Sequence, residues 1–255
     1  MNIIIITGAS SGMGVEFALQ LDNVFTYSID EIWMIARRKE QMLEVAESMM
    51  NTTRILDMDV TKPEDMERLQ KLLAKEKPTV RMLVNCAGYG VMGNFSKLNM
   101  QEELGMIDVN CKALTQMTHM CIPYMRENSR IIQLASSAAF MPQPDFAVYA
   151  ATKAYVNSFS RALSEELRKK KVYVTSVCPG PVDTPFFDLA EKNGKTLALK
   201  KIAMALPEKV VEKAIKDSYH KRPVSVYSGY IKAFEVLAKA VPHQAILTAM
   251  RYMKK

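Results

Sequence analysis

The sequence predicts an α/β fold, a doubly wound parallel sheet with helices on both faces, and three observations carry that expectation. Short β-rich apolar runs alternate with longer helical patterns along the chain. The first run, Ile3 to Ile6, is followed at once by a Gly/Ser turn and then by a helical pattern through Phe17, Ala18 and Leu21. The stretches between successive strands are long enough for the helical crossovers that parallel pairing demands.

The remaining elements follow in order. Strands are expected near Ile32 to Ala36, Arg54 to Leu56, Met82 to Val84, Ile131 to Ala135 and Val172 to Val177, with helices filling the gaps. No repeat, low-complexity tract or linker interrupts the 255 residues, so a single domain spanning 1–255 is expected. Within it the segment near 185–206 reads as a lid. The segment 229–255 reads as helix interrupted at Pro242.

Composition narrows the function. Hydrophobic residues at 49% and charged residues at 24% describe a globular chain and exclude disorder. Cys86, Cys111, Cys121 and Cys178 are widely spaced, with no Cys-x-x-Cys pair and no histidines set as ligands, so no metal site is expected and a reducing, cytoplasmic setting fits. Ile3 to Ile6 is far too short for a membrane span, and no charged segment precedes it as a signal peptide requires. The net charge of +7 is spread along the chain, so nucleic acid is not an expected partner and most of the charge reads as a solvated basic surface.

The chemistry begins at Thr7-Gly8-Ala9-Ser10-Ser11-Gly12-Met13-Gly14. Glycines let the backbone approach a pyrophosphate closely, while the free N–H groups and dipole of a helix start attract the anion. Gly8, Ser10, Ser11, Gly12, Met13 and Gly14 are therefore candidate cofactor ligands, in a strand-turn-helix context of the Rossmann type. The spacing resembles the Thr-Gly-x-x-x-Gly-x-Gly turn of the short-chain dehydrogenase/reductase family, a resemblance that covers most of the chain.

The second strand ends in Ala36-Arg37-Arg38-Lys39, where an NAD-preferring protein places an acid for the ribose hydroxyls. A guanidinium can instead hold the 2′-phosphate of NADP(H), so NADP(H) is expected ahead of NAD(H), with Arg37 as the main candidate and Arg38 assisting. Asp59-Val60 resembles the family's contact with adenine. Asn85-Cys86-Ala87-Gly88 resembles its Asn-Asn-Ala-Gly segment, with Cys86 departing from the usual middle Asn, and Asn85, Ala87 and Gly88 as the matching ligands. Pro179-Gly180-Pro181-Val182-Asp183-Thr184 resembles the segment that meets the nicotinamide amide, which implies roles for Pro179, Gly180, Val182 and Thr184.

Tyr149 and Lys153 lie four residues apart on a helical pattern, which puts both side chains on one face. A phenol, pKa about 10, exchanges protons poorly near neutrality. Lowering it by ~3 units takes ~4 kcal/mol, which the Lys153 ammonium and the positive ring of an oxidised nicotinamide could supply in a partly dry site. Tyr149 then passes a proton to a carbonyl oxygen as hydride reaches the carbon. In the family the matching lysine also binds the nicotinamide ribose, so Tyr149 and Lys153 count as cofactor contacts too. A serine at the end of the fifth strand can bond the substrate oxygen. The family's spacing selects Ser136 and leaves Ser137 open. Asn110 matches the family's fourth catalytic residue, whose backbone is thought to anchor a water leading to the lysine.

Met92, Phe95, Phe140, Met141, Phe146, Phe186 and Phe187 fall in loops expected to border the site, with Leu197, Leu199, Ile202 and Met204 in the lid. They line a pocket for a hydrophobic ketone, hydroxysteroid or acyl derivative, or equally they pack the lid onto the domain. Ile231, Phe234, Leu237, Ile246, Leu247 and Met250 sit among basic residues and could touch a membrane surface, though packing on the core or a partner subunit is the stronger expectation. The family implies a homodimer or homotetramer. The function expected is hydride transfer between NADP(H) and a small carbonyl or alcohol substrate. The contrasting reading is a catalytically idle dinucleotide-binding redox sensor or scaffold. A methyltransferase would share the turn but has no need of the Tyr/Lys pair.

Overall fold

The computed structural model describes residues 1–25, 28–194 and 204–253. Seven strands form one parallel sheet: β1 (Asn2–Thr7), β2 (Glu31–Ala36), β3 (Thr53–Asp57), β4 (Thr79–Asn85), β5 (Arg130–Leu134), β6 (Tyr173–Val177) and β7 (Val224–Ser225), in the order β3-β2-β1-β4-β5-β6-β7. The order reverses between β1 and β4, and the crevice beyond their carboxyl ends is where ligands gather in such sheets.

Strand pleating explains the apolar runs. Successive side chains point to opposite faces, and in β1 Ile4 and Ile6 enter one core while Ile3 and Ile5 enter the other, all fully buried. The first core is closed by Phe17, Ala18 and Leu21 of α1 (Gly12–Val24), Met42 of α2 (Lys39–Glu47) and Val210, Val211, Ala214 and Ile215 of α8 (Pro207–Tyr219). The second is closed by Met66, Leu69 and Leu73 of α3 (Pro63–Glu76), Met117 and Cys121 of α5 (Leu114–Cys121), and Leu163 of α6 (Ala147–Glu166). A strand with helices over both faces has no polar side, so its sequence reads as continuous hydrophobe.

All six expected strands are present, with ends shifted by at most three residues. β6 starts at Tyr173 rather than Val172, because Lys171 takes a left-handed φ of 53° and the Val172 N–H turns back to the Leu167 carbonyl. β7 was not expected, since two residues carry no periodicity. Between α4 (Met100–Ile107) and α5 the helix loosens into a π-helical turn, Asp108–Ala113. After β6 come α7 (Phe186–Ala190), α8, then α9 (Gly229–Ala240) and α10 (His243–Met253), which are separated at Val241-Pro242 as the proline predicts. Of the expected lid, Leu197, Leu199 and Ile202 lie outside the described residues.

Candidate active site

The turn after β1 is shaped for close approach. Gly8 has φ 71°, which L side chains rarely adopt, and a Cβ at Gly14 would stand 2.0 Å from the Gly8 carbonyl oxygen. The result is a tight loop feeding α1, whose first turn has no side-chain cap on its N–H groups. Such a helix start can receive a phosphate through its backbone donors. Gly8, Ser10, Ser11, Gly12 and Met13 line a cleft of ≈ 670 Å³, together with Arg37, Arg38, Asp59, Val60, Ala87, Gly88 and Thr184. Gly14 supports the loop from beneath.

At the rim the two arginines take different positions. The Arg38 guanidinium donates twice to Ser10 Oγ, at 3.2 and 3.1 Å, which pins it over the phosphate turn. Arg37, the residue expected to lead, lines the same rim with 78% of its side chain exposed and lies 3.9 Å from Asp59. Burial pushes the Asp59 carboxyl up, but bonds from the Thr61 hydroxyl and N–H, with Arg37 nearby, more than offset it and hold Asp59 below its ordinary range.

Beyond β4, Ala87 N–H is tied to Thr7 Oγ1 at 3.2 Å, so the two central strand ends are braced together. Asn110 sits in the π-helical turn and is 1% exposed. Its Oδ1 accepts from Tyr89 N–H at 3.1 Å, and its Nδ2 donates to the Tyr89 carbonyl at 2.9 Å and to Thr152 Oγ1 at 3.0 Å. The side chain thus clamps the β4 loop to α6. A π-turn re-aims one residue of a helix and recurs at functional sites. A Cβ placed on Gly88 would lie 2.9 Å from Asn110 Oδ1 and 3.4 Å from Lys153 Nζ, so these groups meet at the floor of the cleft.

Tyr149, Lys153 and Ser136 converge behind that floor. Lys153 Nζ donates to the Leu134 carbonyl at 2.6 Å and lies 5.6 Å from the centre of the Tyr149 ring. Ser136 stands at the end of β5, its Oγ accepting from Ala138 N–H at 3.1 Å and meeting the Tyr149 hydroxyl. Ser137 is buried and its N–H goes to the Pro179 carbonyl, so it braces the loop. The expectation of a phenol made acidic by the ammonium is not met by the chain's own groups. Burial pushes Tyr149 up to about 12, only partly countered by Ser136, and pushes Lys153 down to about 8. Both groups are enclosed, and desolvation disfavours the charged form of each.

The apolar residues named from sequence divide between packing and lining. Met92, Met141, Phe146 and Phe187 are buried, while Phe95 is 65% exposed. Phe146 stacks on Tyr149 at 4.2 Å, and Phe186 at the start of α7 lies tilted at 5.5 Å on it, leaving Tyr149 only 7% exposed. Alpha-helix α7 is held there by Met92 N–H bonding to the Ala190 carbonyl at 2.8 Å, and by an ion pair of Lys192 just beyond it with Glu102. Phe186 and Leu189 line the cleft beside Tyr89 and Val91.

Some sequence candidates stand elsewhere. Asn85 is 2% exposed, its Nδ2 spent on Thr118 Oγ1 and Gln133 Oε1. Val182 is packed in the core and bridges to Ala205, while Pro179 and Gly180 brace the turn after Ser136 and the start of α9. Thr152 and Tyr89 were missed by sequence reasoning. Thr152 adjoins Lys153 in the Tyr-x-x-x-Lys segment, a place where a hydroxyl on a buried helix face signals a partner.

Known proteins resemble this chain in sequence and in fold. The short chain dehydrogenase family model matches residues 2–194. An uncharacterized oxidoreductase of Staphylococcus epidermidis is 31% identical over 185 residues, which is 72% of this chain and 79% of that protein. A short-chain dehydrogenase from Sphingobium yanoikuyae in complex with NADPH superposes with a TM-score of 0.78 at 23% identity, covering 97% of this chain and 96% of that one. A short-chain dehydrogenase/reductase from Burkholderia phymatum in complex with NAD gives 0.80 at 19% identity, covering 92% of each. With a glycine turn at the switch point and a family match over three quarters of its length, the chain belongs to the short-chain dehydrogenase family, oxidoreductases that hold a nicotinamide dinucleotide.

Proposed function

We propose that this protein transfers a hydride between NADP(H) and the carbonyl or secondary alcohol carbon of a small hydrophobic substrate, acting as one dinucleotide-binding unit. The observation that carries the reading is the convergence of Tyr149, Lys153 and Ser136 at the carboxyl ends of β4 to β6, behind a cleft built on the glycine turn. The bound dinucleotide supplies or accepts the hydride and, when oxidised, brings a positive ring to the site.

In the reducing direction the Tyr149 hydroxyl gives its proton to the carbonyl oxygen as the carbon gains hydride. A phenol held neutral by burial is charged with that proton throughout the neutral range. Ser136 bonds the same oxygen and stabilises its developing charge. Lys153 then lowers the cost of the phenolate, and Asn110 holds the floor against α6. Oxidation runs the same transfers backwards.

Arg38 with Ser10 supports NADP(H), because a guanidinium fixed over the turn can take a 2′-phosphate bidentately. Phe186 against Tyr149, with Leu189 and Val91 lining the cleft beside it, supports an apolar substrate. A second copy fits the exposed stripe of Met100, Leu104 and Ile107 on α4, spaced at i, i+4 and i+7, as in a homo-oligomer. Four unpaired cysteines suit a reducing compartment.

Tyr149→Phe tests the mechanism. Removing the general acid is expected to lower turnover at least about 10²-fold while NADPH binding, read by fluorescence titration, stays within experimental error. Near-normal turnover would remove Tyr149 from the chemistry. NADPH binding by a wild-type chain that turns over no ketone or alcohol favours the sensor or scaffold instead, a reading to which the small exposure of Tyr149 lends weight.

A further inference from the structure

Helix α9 is apolar on two sides. Its inner side is spent on the protein: Ile231 and Ala238 are buried, and the Phe234 ring lies 6.3 Å from Phe140, at the end of the turn that follows Ser136. Its outer side carries Tyr230, Ala233, Val236, Leu237 and Ala240, spaced three and four apart and all exposed, Val236 by 66% and Leu237 by 52%. One buried stripe is enough to hold a surface helix. A second, solvent-facing stripe marks an interaction surface.

Charge identifies what it fits. Residues 229–255 contain Lys232, Lys239, Arg251, Lys254 and Lys255 against the single acid Glu235, a net of +4 within a chain whose total is +7. Lys232 and Lys239 are exposed and flank the outer stripe, Lys239 also pairing with Glu235 at 2.6 Å. Two copies of this face brought together would oppose like charges. A bilayer bearing anionic headgroups offers the complementary charge and an apolar layer beneath it. We propose that the outer face of α9 docks this protein on an anionic lipid surface. Because the inner side of α9 touches Phe140, docking sets the Ser136 turn close to the bilayer. On the oxidoreductase reading above, on which this last step rests, the substrate class is then an apolar ketone or alcohol that partitions into lipid.

The test is flotation of the full chain with vesicles of phosphatidylcholine alone and of phosphatidylcholine mixed with phosphatidylglycerol. The wild type is expected to float with the mixed vesicles and not with the neutral ones, losing about five-fold in affinity for each of Lys232→Gln and Lys239→Gln. Val236→Glu with Leu237→Glu is expected to abolish flotation; both positions are exposed, and far-UV circular dichroism with thermal melting verifies that this variant folds. Absence of flotation by the wild type overturns the proposal, as does flotation of the folded double variant equal to the wild type. An oligomer without lipid that the double variant splits also overturns it, because the face then belongs to a second copy. The readout needs no turnover, so its failure leaves the hydride-transfer reading intact, whereas an inert Tyr149→Phe substitution undermines that reading alone.

Discussion

At the scale of the residue, two side chains show how position decides role. Arg37 and Arg38 are neighbours in the sequence, but one stands largely exposed beside Asp59 and the other is fastened to Ser10 over the phosphate turn. Charged hydrogen bonds contribute ~1.5–3 kcal/mol, so Arg38→Ala is expected to weaken NADPH binding about ten- to a hundred-fold while leaving NADH nearly unchanged, and Arg37→Ala to change both little. Titration with the two cofactors checks it; an NADPH loss confined to Arg37→Ala would reverse the assignment. Lys153 carries a second prediction. Burial lowers its pKa from 10.5 to about 8, so the folded chain releases this proton before the unfolded chain does. Below pH 8 the native state bears the full cost of enclosing the ammonium, on the order of 3 kcal/mol. The unfolded state binds more protons between pH 8 and 10.5, so this contribution makes stability rise with pH across that window. Lys153→Met is expected to be more stable than the wild type at neutral pH, with a flatter pH dependence from 8 to 10.5. Urea midpoints across that range measure it, and parallel curves for the two proteins would refute the burial cost.

At the scale of the element, the turn between β1 and α1 holds the closest approach found at any of the glycines. A methyl at Gly14 has nowhere to go, standing 2.0 Å from a backbone oxygen of the same loop. Gly14→Ala must open the loop and turn the N–H groups away from a phosphate. The expected outcome is a loss of dinucleotide binding of about 10²-fold or more, on the scale of several charge-assisted bonds lost together, with the far-UV spectrum retained because the sheet is buried independently of this loop. Unchanged affinity would show that the turn does not carry the phosphate. The same turn was legible in the sequence because its chemistry is local: strand, glycines and helix lie within a dozen residues. The strands were legible because burial on two faces leaves uninterrupted apolar runs. The π-helical turn was not, since one residue's displacement within α4 to α5 is driven by the clamp that Asn110 makes on Tyr89 and Thr152, partners 21 and 42 residues away. Nor could the sequence show that Asn85 would be consumed by Thr118 and Gln133, or that Phe146 and Phe186 would enclose Tyr149. Those are facts of tertiary packing, in which residues from three separate crossovers and two strands choose their neighbours.

At the scale of the whole molecule, the cofactor cleft joins segments that follow β1, β2, β3, β4 and β6, so a ligand there ties together loops distant in sequence. Such a ligand binds only the folded chain, and its binding free energy adds directly to stability. At a free concentration of 100 Kd the gain is ~2.7 kcal/mol. For a chain of this size each kcal/mol moves the melting temperature by about 2–4 °C, so saturating NADPH is expected to raise Tm by roughly 5–11 °C. At equal concentrations NADH is expected to raise it less, because it lacks the phosphate that Arg38 and Ser10 are placed to hold. Arg38→Ala is expected to bring the two shifts together by lowering the NADPH shift, not by raising the NADH one. A larger shift with NADH than with NADPH would mean that the guanidinium over the turn serves the loop's own structure, and that the preference lies with the dinucleotide that has no 2′-phosphate.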